Sequence, residues 1–452
     1  MLLPLLFQLA ANDWVPARWD SGDPETLELL RASPINCLLL EADNWDNRFI
    51  AAARQRHLAT LGVIHPGDSA PEMARRAVAI KMNGLVLEGI FERSVVNRIR
   101  REAGNRMVIE LSNRAGMRLD SSDPIVGTSQ SLWPGIEIQH GGTVSAGPSS
   151  APWINTNSGF LRFAGAATKA TIWMGERPPP NVVLAADRYA VAIADAAITG
   201  ARWIVALDSD LQARLFAGES HALETWNEIS TYLRYFEEHR EWRAYRPYSV
   251  FAVIEDTNSG GLLSSGLLDM LAVQHTAARA LPTRELSDQS LHDARVVLNV
   301  DASTLRETQR KDMEDFVSSG GKLVNPPPGW RFPEITAGAM TPTRREMDRI
   351  QPIWEATYNA TVRKNFGART FNTSSIIFDV RIRPDSKSVL VHLLNYTDYA
   401  SEDVAVQVLG TWHRARLYTP DGKVRELPVY PVKDGTGIDI DRINVLGTVV
   451  VE

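Results

Sequence analysis

The sequence predicts an α/β protein of three successive units: a (β/α)8 barrel, a small doubly wound α/β domain of flavodoxin-like type, and a C-terminal antiparallel β-sandwich. Short apolar runs alternate with helical segments through the first half of the 452-residue chain, which is typical of a parallel sheet. The alternation starts again at Tyr248 after a long helical segment. From Ser374 onwards apolar residues recur at every second position, which is typical of antiparallel strands.

The barrel is assigned to residues 23–245. Its first helix is expected to begin behind Asp23-Pro24, because aspartate and proline favour the start of a helix. Seven apolar runs are clear strand candidates, and a short run at 152–155 would be the eighth. With seven strands the chain would form a related, incomplete barrel. The seven clear runs are 35–40, 58–64, 84–87, 106–109, 124–128, 170–174 and 202–207.

Polar residues follow most of these runs. In a (β/α)8 barrel the active site lies on the loops after the strands, at their C-terminal ends, so these positions are candidates for binding or catalysis. Each carboxylate also has a structural alternative, since such residues often cap helices or pair with arginine. The candidates are Glu41, Asp43, His65, Glu88, Glu110, Glu176 and Asp208.

Tryptophan and asparagine add a second set of candidates. The chain has 12 tryptophans; most are expected in the core, but Trp45, Trp133 and Trp153 follow strands and could stack on sugar rings. Asn155 and Asn157 suit hydrogen bonds to hydroxyl groups. Asn157 could instead cap the helix that is predicted to begin at residue 158.

The remaining chain is divided into residues 246–345, a mixed connector at 346–372, and residues 373–452. The doubly wound domain rests on the strand candidates 249–254 and 295–300 and on the helix that ends at Gly320-Gly321, a turn typical of a helix C-terminus. Turns such as Pro384-Asp385 separate the short strands of the sandwich.

Composition excludes several classes of function. The net charge of −6 and the pI near 5.9 argue against nucleic acid as a partner. One cysteine, Cys37, permits no intrachain disulfide. The scattered histidines form no metal-binding motif, and the glycine pairs lack both the P-loop lysine and the GxGxxG spacing. We therefore expect no metal and no cofactor.

The N-terminal segment bears on location. Residues 1–11 are apolar and end in Ala10-Ala11, as in the core and cleavage region of a secretory signal, although the usual basic region is missing. Residues 1–22 are taken as a signal segment and lead-in, which predicts a periplasmic or secreted protein, with the cytoplasm as the alternative. No later run is long and apolar enough for a transmembrane helix, so no membrane partner is expected.

Several segments resemble the family 42 β-galactosidases and the wider group of glycoside hydrolases around them. Residues 315–324 resemble the helix-to-strand turn of that group's amidotransferase-like trimerisation domain. Residues 391–396, 417–422 and 447–452 resemble its C-terminal β-sandwich. The segment 146–157 is similar to one in uncharacterised bacterial members. The resemblance covers most of the chain at the level of architecture and implies a carbohydrate substrate.

The resemblance also implies two catalytic carboxyl groups, an acid/base after strand 4 and a nucleophile after strand 7, with a retaining mechanism. If residues 152–155 form strand 6, Glu110 is the acid/base and Glu176 the nucleophile. The family's acid/base usually follows asparagine, whereas Ile109 precedes Glu110. This departure leaves open a binding role for Glu110, with Glu88 or Asp208 as the acid.

The middle domain departs from the amidotransferases in another way. A working amidotransferase needs a cysteine nucleophile in this domain, and the chain has none after Cys37. The resemblance therefore implies a scaffold, with a homodimer or homotrimer formed through it. Two other functions stay open for the chain: a non-catalytic carbohydrate-binding or structural relative, and a hydrolase of another kind, such as an amidase, that uses the same barrel mouth.

Overall fold

The computed structural model describes residues 10–138, 144–146, 156–255, 262–300, 305–326, 328 and 344–452. Within these residues, no helix is both long enough and apolar enough to cross a bilayer.

Eight parallel strands form the barrel. Neighbouring strands pair in the order β1-β2-β3-β4-β5-β6-β9-β10. The sheet closes on itself because Ala17 bridges Val205 and the Arg18 amide donates to the Val205 carbonyl at 2.8 Å. The barrel strands are β1 (Pro16–Arg18), β2 (Cys37–Leu40), β3 (Ala59–Ile64), β4 (Gly84–Glu88), β5 (Met107–Ser112), β6 (Ile125–Thr128), β9 (Thr171–Met174) and β10 (Arg202–Trp203). The predicted (β/α)8 barrel is confirmed.

The first strand was missed by the sequence analysis. Pro16–Arg18 lies in the segment assigned to the lead-in, because three residues that include proline and arginine show no period-two pattern. Strand β5, which contains Glu110, is consequently the fifth barrel strand and not the fourth. The candidate strand at 152–155 lies outside the described residues, and the sixth barrel strand is Ile125–Thr128.

Side chains alternate between the inside and the outside of the barrel, as in any strand. The inner set packs in one cluster that includes Cys37, Leu39, Val63, Val86, Ile109, Leu111 and Trp173. The outer set, among them Leu38, Leu40, Leu85, Leu87 and Val108, packs against the helices. This alternation decides which polar residues reach the barrel mouth.

The outer layer consists of helices that follow the strands. They are α1 (Asn47–Gln55), α2 (Ala70–Ala79), α3 (Arg93–Ala103), α4 (Ser158–Ala167), α5 (Ala186–Ala197), α6 (Ser209–Phe216) and α7 (Ser220–Glu238). A small antiparallel hairpin, β7 (Ile136–Ile138) and β8 (Val144–Ala146), belongs to the connection between β6 and α4.

The middle domain contains a four-stranded parallel sheet in the order β13-β12-β14-β15. Its strands, preceded by the two-residue strand β11 (Arg246–Pro247), are β12 (Phe251–Glu255), β13 (Arg279–Pro282), β14 (Val296–Asn299) and β15 (Lys322–Val324). Its helices are α8 (Leu262–Val273), α9 (Asp288–Leu291) and α10 (Glu307–Ser318), and helix α11 (Arg344–Thr361) covers much of the predicted connector.

The C-terminal part is a pair of antiparallel sheets. One sheet has six strands in the order β11-β17-β18-β24-β20-β21, and the other has four in the order β16-β19-β23-β22. The valine, leucine and isoleucine side chains between them form a separate core. The strands are β16 (Ala368–Phe371), β17 (Ile376–Ile382), β18 (Val389–Asn395), β19 (Ser401–Leu409), β20 (Ala415–Tyr418), β21 (Val424–Leu427), β22 (Val429–Val432), β23 (Gly435–Ile443) and β24 (Leu446–Val451).

Candidate functional site

Arg18 is the centre of a charged cluster at the mouth of the barrel. It ends strand β1, points into the barrel and is only 5% exposed. Its two terminal nitrogens bind both carboxylate oxygens of Glu88, one of them at 3.0 Å. The Glu41 Oε1 atom lies 3.6 Å from Arg18 Nη1. Glu88 and Glu41 follow the inner residues Val86 and Leu39 by two positions, so the strand period turns both towards the mouth.

Glu41 lies at the centre of a second set of contacts. His65 Nε2 lies 3.0 Å from Glu41 Oε2, and Arg177 donates to Glu41 Oε1. Arg177 also binds Asp20, at 3.3 Å. Burial raises the pKa of Glu41, but the His65 hydrogen bond and the positive charges of Arg177 and Arg18 outweigh it, so the net pKa is lowered. Glu41 is therefore held as an anion.

Glu176 differs from the other mouth carboxylates. It follows strand β9, is partly buried, and accepts a long 3.4 Å hydrogen bond from the Ser131 amide. Burial raises its pKa most; the Ser131 bond and the Arg18 charge oppose this, and the nearby negative charge of Glu88 adds to it. Within the described part of the chain Glu176 makes no ion pair. It is thus the mouth carboxyl best able to hold a proton.

Glu41, His65 and Glu88 together have the composition of a metal site. One ligand atom from each lies within 4.8 Å of the others. Arg18 and Arg177 already neutralise the two carboxylates, however. A metal ion here would have to displace both arginines, so the donor set fits an ion pair better than a metal.

Glu110, the predicted acid/base, is not brought to this cluster. It shares the outward parity of Val108 and lies between strand β5 and helix α3. Its carboxylate contacts three arginines, with Arg93 at 2.7 Å, Arg100 at 3.0 Å and Arg118 at 3.6 Å. The predicted catalytic role of Glu110 depended on its following the fourth barrel strand, but Glu110 lies in the fifth.

Two predicted stacking tryptophans are buried instead. Trp45 is 6% exposed and donates its ring N–H to the Leu40 carbonyl at 2.8 Å. Trp133 is 5% exposed and packs edge-on against Tyr189 and Trp203. Both rings therefore belong to the packing between the barrel and its helices. Trp153 and Asn155 lie outside the described residues.

Asn157 lies in a fully buried network that joins domains. It accepts from Arg114 at 2.7 Å and donates to Asp195 at 3.0 Å. Asp195 also accepts from the Tyr396 hydroxyl of the sandwich. With no exposed surface, Asn157 anchors the start of helix α4 and does not face the mouth.

Asp208 and Asp43 also have local roles. Asp208 caps helix α6 through the Leu211 amide at 2.9 Å and accepts from the buried Tyr189 hydroxyl at 2.7 Å. Asp43 is exposed in the short turn after strand β2. Of the predicted site residues, the structure thus brings together Glu41, His65, Glu88 and Glu176.

Three further groups of the site were not among the predicted residues. Arg18, Arg177 and the Ser131 amide all contact mouth carboxylates. A signal for Arg177 was present, because it directly follows Glu176. Arg18 gave none, since its strand was not recognised.

Comparisons with known proteins add to this geometry. No protein-family model matches the chain, and no curated protein matches it. Among solved structures, α-L-fucosidase isoenzyme 2 from Paenibacillus thiaminolyticus has a TM-score of 0.66 at 12% identity, covering 97% of this chain and 99% of that chain. The chain has a glycoside hydrolase-like fold.

Two further structures carry related names. A rhamnosidase from Novosphingobium sp. PP1Y has a TM-score of 0.47 at 11% identity, covering 96% of this chain and 44% of that chain. The glycoside hydrolase domain of PelA from Pseudomonas aeruginosa has a TM-score of 0.31 at 13% identity, covering 43% of this chain and 94% of that chain. The family 42 resemblance and the amidotransferase-like middle domain stay predictions.

Proposed function

We propose that this protein is a glycoside hydrolase whose two catalytic carboxyl groups are Glu176 and Glu88. The observation that carries the proposal is the contrast between them at the mouth of one barrel. Glu176 is partly buried, makes no ion pair within the described residues and has a raised pKa, while Glu88 is bound at both oxygens by Arg18. Two carboxyls in unlike environments are what acid-assisted cleavage of a glycosidic bond requires.

Glu176 is assigned the role of general acid. Partial burial disfavours its charged form, so it keeps a proton to a higher pH than an exposed glutamate does. In cleavage it donates that proton to the leaving oxygen. The Ser131 hydrogen bond and the Arg18 charge limit the rise of this pKa. In the second half of the reaction the deprotonated Glu176 accepts a proton from the attacking water.

Glu88 is assigned the role of anionic partner. The Arg18 guanidinium binds both oxygens of this carboxylate and occupies two of its about four lone-pair positions. The remaining positions can face a sugar carbon, or a water molecule that attacks it. In the retaining version of the proposal Glu88 is the nucleophile.

These roles are the reverse of what the family 42 resemblance implies by strand position. With the strands renumbered, that resemblance places the acid on the fourth strand, at Glu88, and the nucleophile after the seventh, at Glu176. We favour the reverse because the ion pair of Glu88 and the raised pKa of Glu176 both oppose the family's order.

The rest of the mouth is assigned to substrate binding. Glu41 is an ionised acceptor, and the His65 side chain is 57% exposed beside it. Together with Arg177 they offer donors and acceptors for sugar hydroxyl groups. The likeness to a fucosidase over the full length of both chains and the resemblance to β-galactosidases make α-L-fucosides and β-D-galactosides the first substrates to test.

The test is a leaving-group series with wild type, Glu176→Gln and Glu88→Gln. Each is assayed on aryl glycosides whose phenols range from dinitrophenol to phenol. If Glu176 is the acid, Glu176→Gln retains activity on dinitrophenyl glycosides, which need no proton, and loses about 10²–10⁴-fold on phenyl glycosides. Glu88→Gln loses activity on every member. The opposite pattern would assign the family's order, and equal activity of all three proteins would refute both assignments.

A non-catalytic carbohydrate-binding protein is the second candidate. The observation in its favour is that Glu41 and Glu88 are already engaged by Arg18, Arg177 and His65. Binding of sugars by calorimetry, with no hydrolysis by the wild type on the whole series, would favour this function.

A further inference from the structure

The sheet of the middle domain contains a topological switch point, which is where ligands bind in folds of this type. In its sheet order, β13-β12-β14-β15, the chain leaves β12 towards one edge and β14 towards the other. The two faces of the sheet are covered by different parts of the molecule. Val253 and Leu298 pack on the barrel side, while Ile254 and Val297 pack against α9 and α10. In open parallel sheets a crevice forms at such a switch point, outside the carboxyl ends of the two strands.

The last residues of these two strands are Glu255 and Asn299. Ile254 pairs with Asn299 in the register, so Glu255 lies one position further along, at the same edge. Glu255 is 0% exposed and Asn299 is 3% exposed. Strand alternation places Glu255 on the barrel side and Asn299 on the α10 side, one on each flank of the switch point.

Three acceptor atoms of these two side chains have no partner. Within the described residues, neither carboxylate oxygen of Glu255 nor the Asn299 Oδ1 atom is hydrogen-bonded. Other polar groups of the same edge are paired: Thr283 donates to the Glu255 carbonyl, and the Gln309 side chain contacts both Thr283 and Arg306. These paired groups show that other polar atoms of this edge do find partners.

The physical cost of this arrangement points to a ligand. A buried carboxylate is normally paired or bound to a metal ion, because burial without a partner is unfavourable. Burial raises the pKa of Glu255 well above its ordinary value, and within the described residues the carboxylate has no hydrogen-bond partner. Asp269 on α8 differs, because it accepts a hydrogen bond from the Gly159 amide at 2.7 Å.

We propose that the carboxyl edge of the middle-domain sheet is a cation-binding site, with the buried Glu255 carboxylate as its anionic ligand. Both Glu255 carboxylate oxygens are buried and unpaired within the described residues, and a positively charged ligand satisfies them. Carboxylate and amide oxygens are ligands that Ca²⁺ and Mg²⁺ prefer; an organic ammonium group offers the same charge. The site is independent of the barrel mouth.

The test is titration calorimetry of the full chain with CaCl2, MgCl2 and 1,4-diaminobutane in separate runs. Wild type is compared with Glu255→Gln, which keeps the shape and removes the charge, and with Asn299→Leu. A matched control, Glu41→Gln, removes a carboxylate of the mouth group that also resembles a metal site. Circular dichroism checks that each variant is folded.

We expect one of these cations to bind wild type, Glu41→Gln and Asn299→Leu alike, because Asn299 lies on the other face of the sheet, and not to bind folded Glu255→Gln detectably. A metal ion that binds identifies an inorganic ligand, and the diamine identifies an organic one. The proposal is overturned if none of the three binds wild type, or if Glu255→Gln binds as wild type does.

Discussion

Glu88 and Glu110 lie on adjacent barrel strands and differ by one position in register. Glu88 pairs with Leu111 and Glu110 pairs with Leu87. One step along a strand reverses the side-chain direction, so Glu88 faces the barrel mouth and Glu110 faces helix α3. Both carboxylates come at the ends of apolar runs in the sequence, yet only Glu88 can meet a substrate inside the barrel.

The arginine partners of Glu88 and Glu110 differ in how exposed they are to solvent. Glu88 is bound by Arg18, which is almost fully buried. Glu110 is shared by three arginines that are each about one-third to one-half exposed. Water and salt screen the outer cluster, while the inner pair acts at short range in a desolvated site. The inner pair is thus suited to catalysis and the outer cluster to holding α3 on the barrel.

The largest difference between the barrel mouth and the outer arginine cluster is expected when one arginine is removed from each. Arg18→Met leaves Glu88 buried without its counter-charge, which costs about 3–5 kcal/mol of unfolding free energy, and we expect activity to fall at least about 10²-fold through the loss of a preorganised charge. Arg100→Met should cost about 1 kcal/mol or less and leave activity intact. Urea unfolding and kcat/KM measure both, and equal losses in the two variants would remove the distinction.

The pH dependence of stability should report on Glu176 at the barrel mouth. The pKa of Glu176 is raised above 4.5 in the folded state, so its contribution is fully present below pH 4.5 and is lost as pH rises through the raised value. Glu176→Gln should therefore flatten the fall of unfolding free energy above pH 4.5. The midpoints of urea unfolding across pH 4–8 test this, and identical profiles for wild type and Glu176→Gln would contradict it.

The pH dependence of activity follows from the same group. If protonated Glu176 is the acid, kcat/KM falls as pH rises through its pKa. The decline should be weaker with dinitrophenyl leaving groups, which need no proton. A pH profile that is the same for both leaving groups would be evidence against the acid role.

Glu41→Gln should have a smaller effect, on binding more than on chemistry. It removes the charge that accepts from Arg177 and faces His65. A hydrogen bond to a charged group contributes about 1.5–3 kcal/mol, so we expect KM to rise about tenfold or more with a lesser change in kcat. A loss confined to kcat would instead place Glu41 in the chemical step.

The smallest effect is expected at Glu110. Glu110→Gln retains the size of the side chain and gives up contacts with partly exposed arginines, each worth about 0–1 kcal/mol. We expect unfolding free energy to fall by about 1 kcal/mol and kcat/KM to stay within about twofold. Glu102→Gln, which loses an ion pair with Arg75 on the same outer layer, is the matched control.

The barrel could be predicted from the sequence because its apolar runs are long enough to show their period. The number of strands could not be predicted, because strand Pro16–Arg18 has only three residues and two of them, proline and arginine, are not typical of a buried strand. Because of that omission, Glu110 and not Glu88 was taken as the carboxylate of the fourth strand. Predictions for Glu41, His65, Glu88 and Glu176 placed them on the mouth, where the structure finds them.

The burial of the tryptophans and the contacts of Arg18 could not be predicted from their positions in the sequence. Trp45 and Trp133 follow strands as a stacking platform would, but helix packing closes over both. Arg18 meets Glu88, 70 positions away, only because barrel closure brings the first strand beside the rest. Such contacts depend on tertiary structure and leave no local pattern.

The most direct measurement is kcat/KM of wild type, Glu176→Gln and Glu110→Gln on one phenyl glycoside that the wild type hydrolyses. The account predicts a loss of about 10²–10⁴-fold for Glu176→Gln and a value near that of wild type for Glu110→Gln. A wild-type rate in Glu176→Gln, or a collapse in folded Glu110→Gln, would contradict the assignment of catalysis to the inward-facing carboxyls.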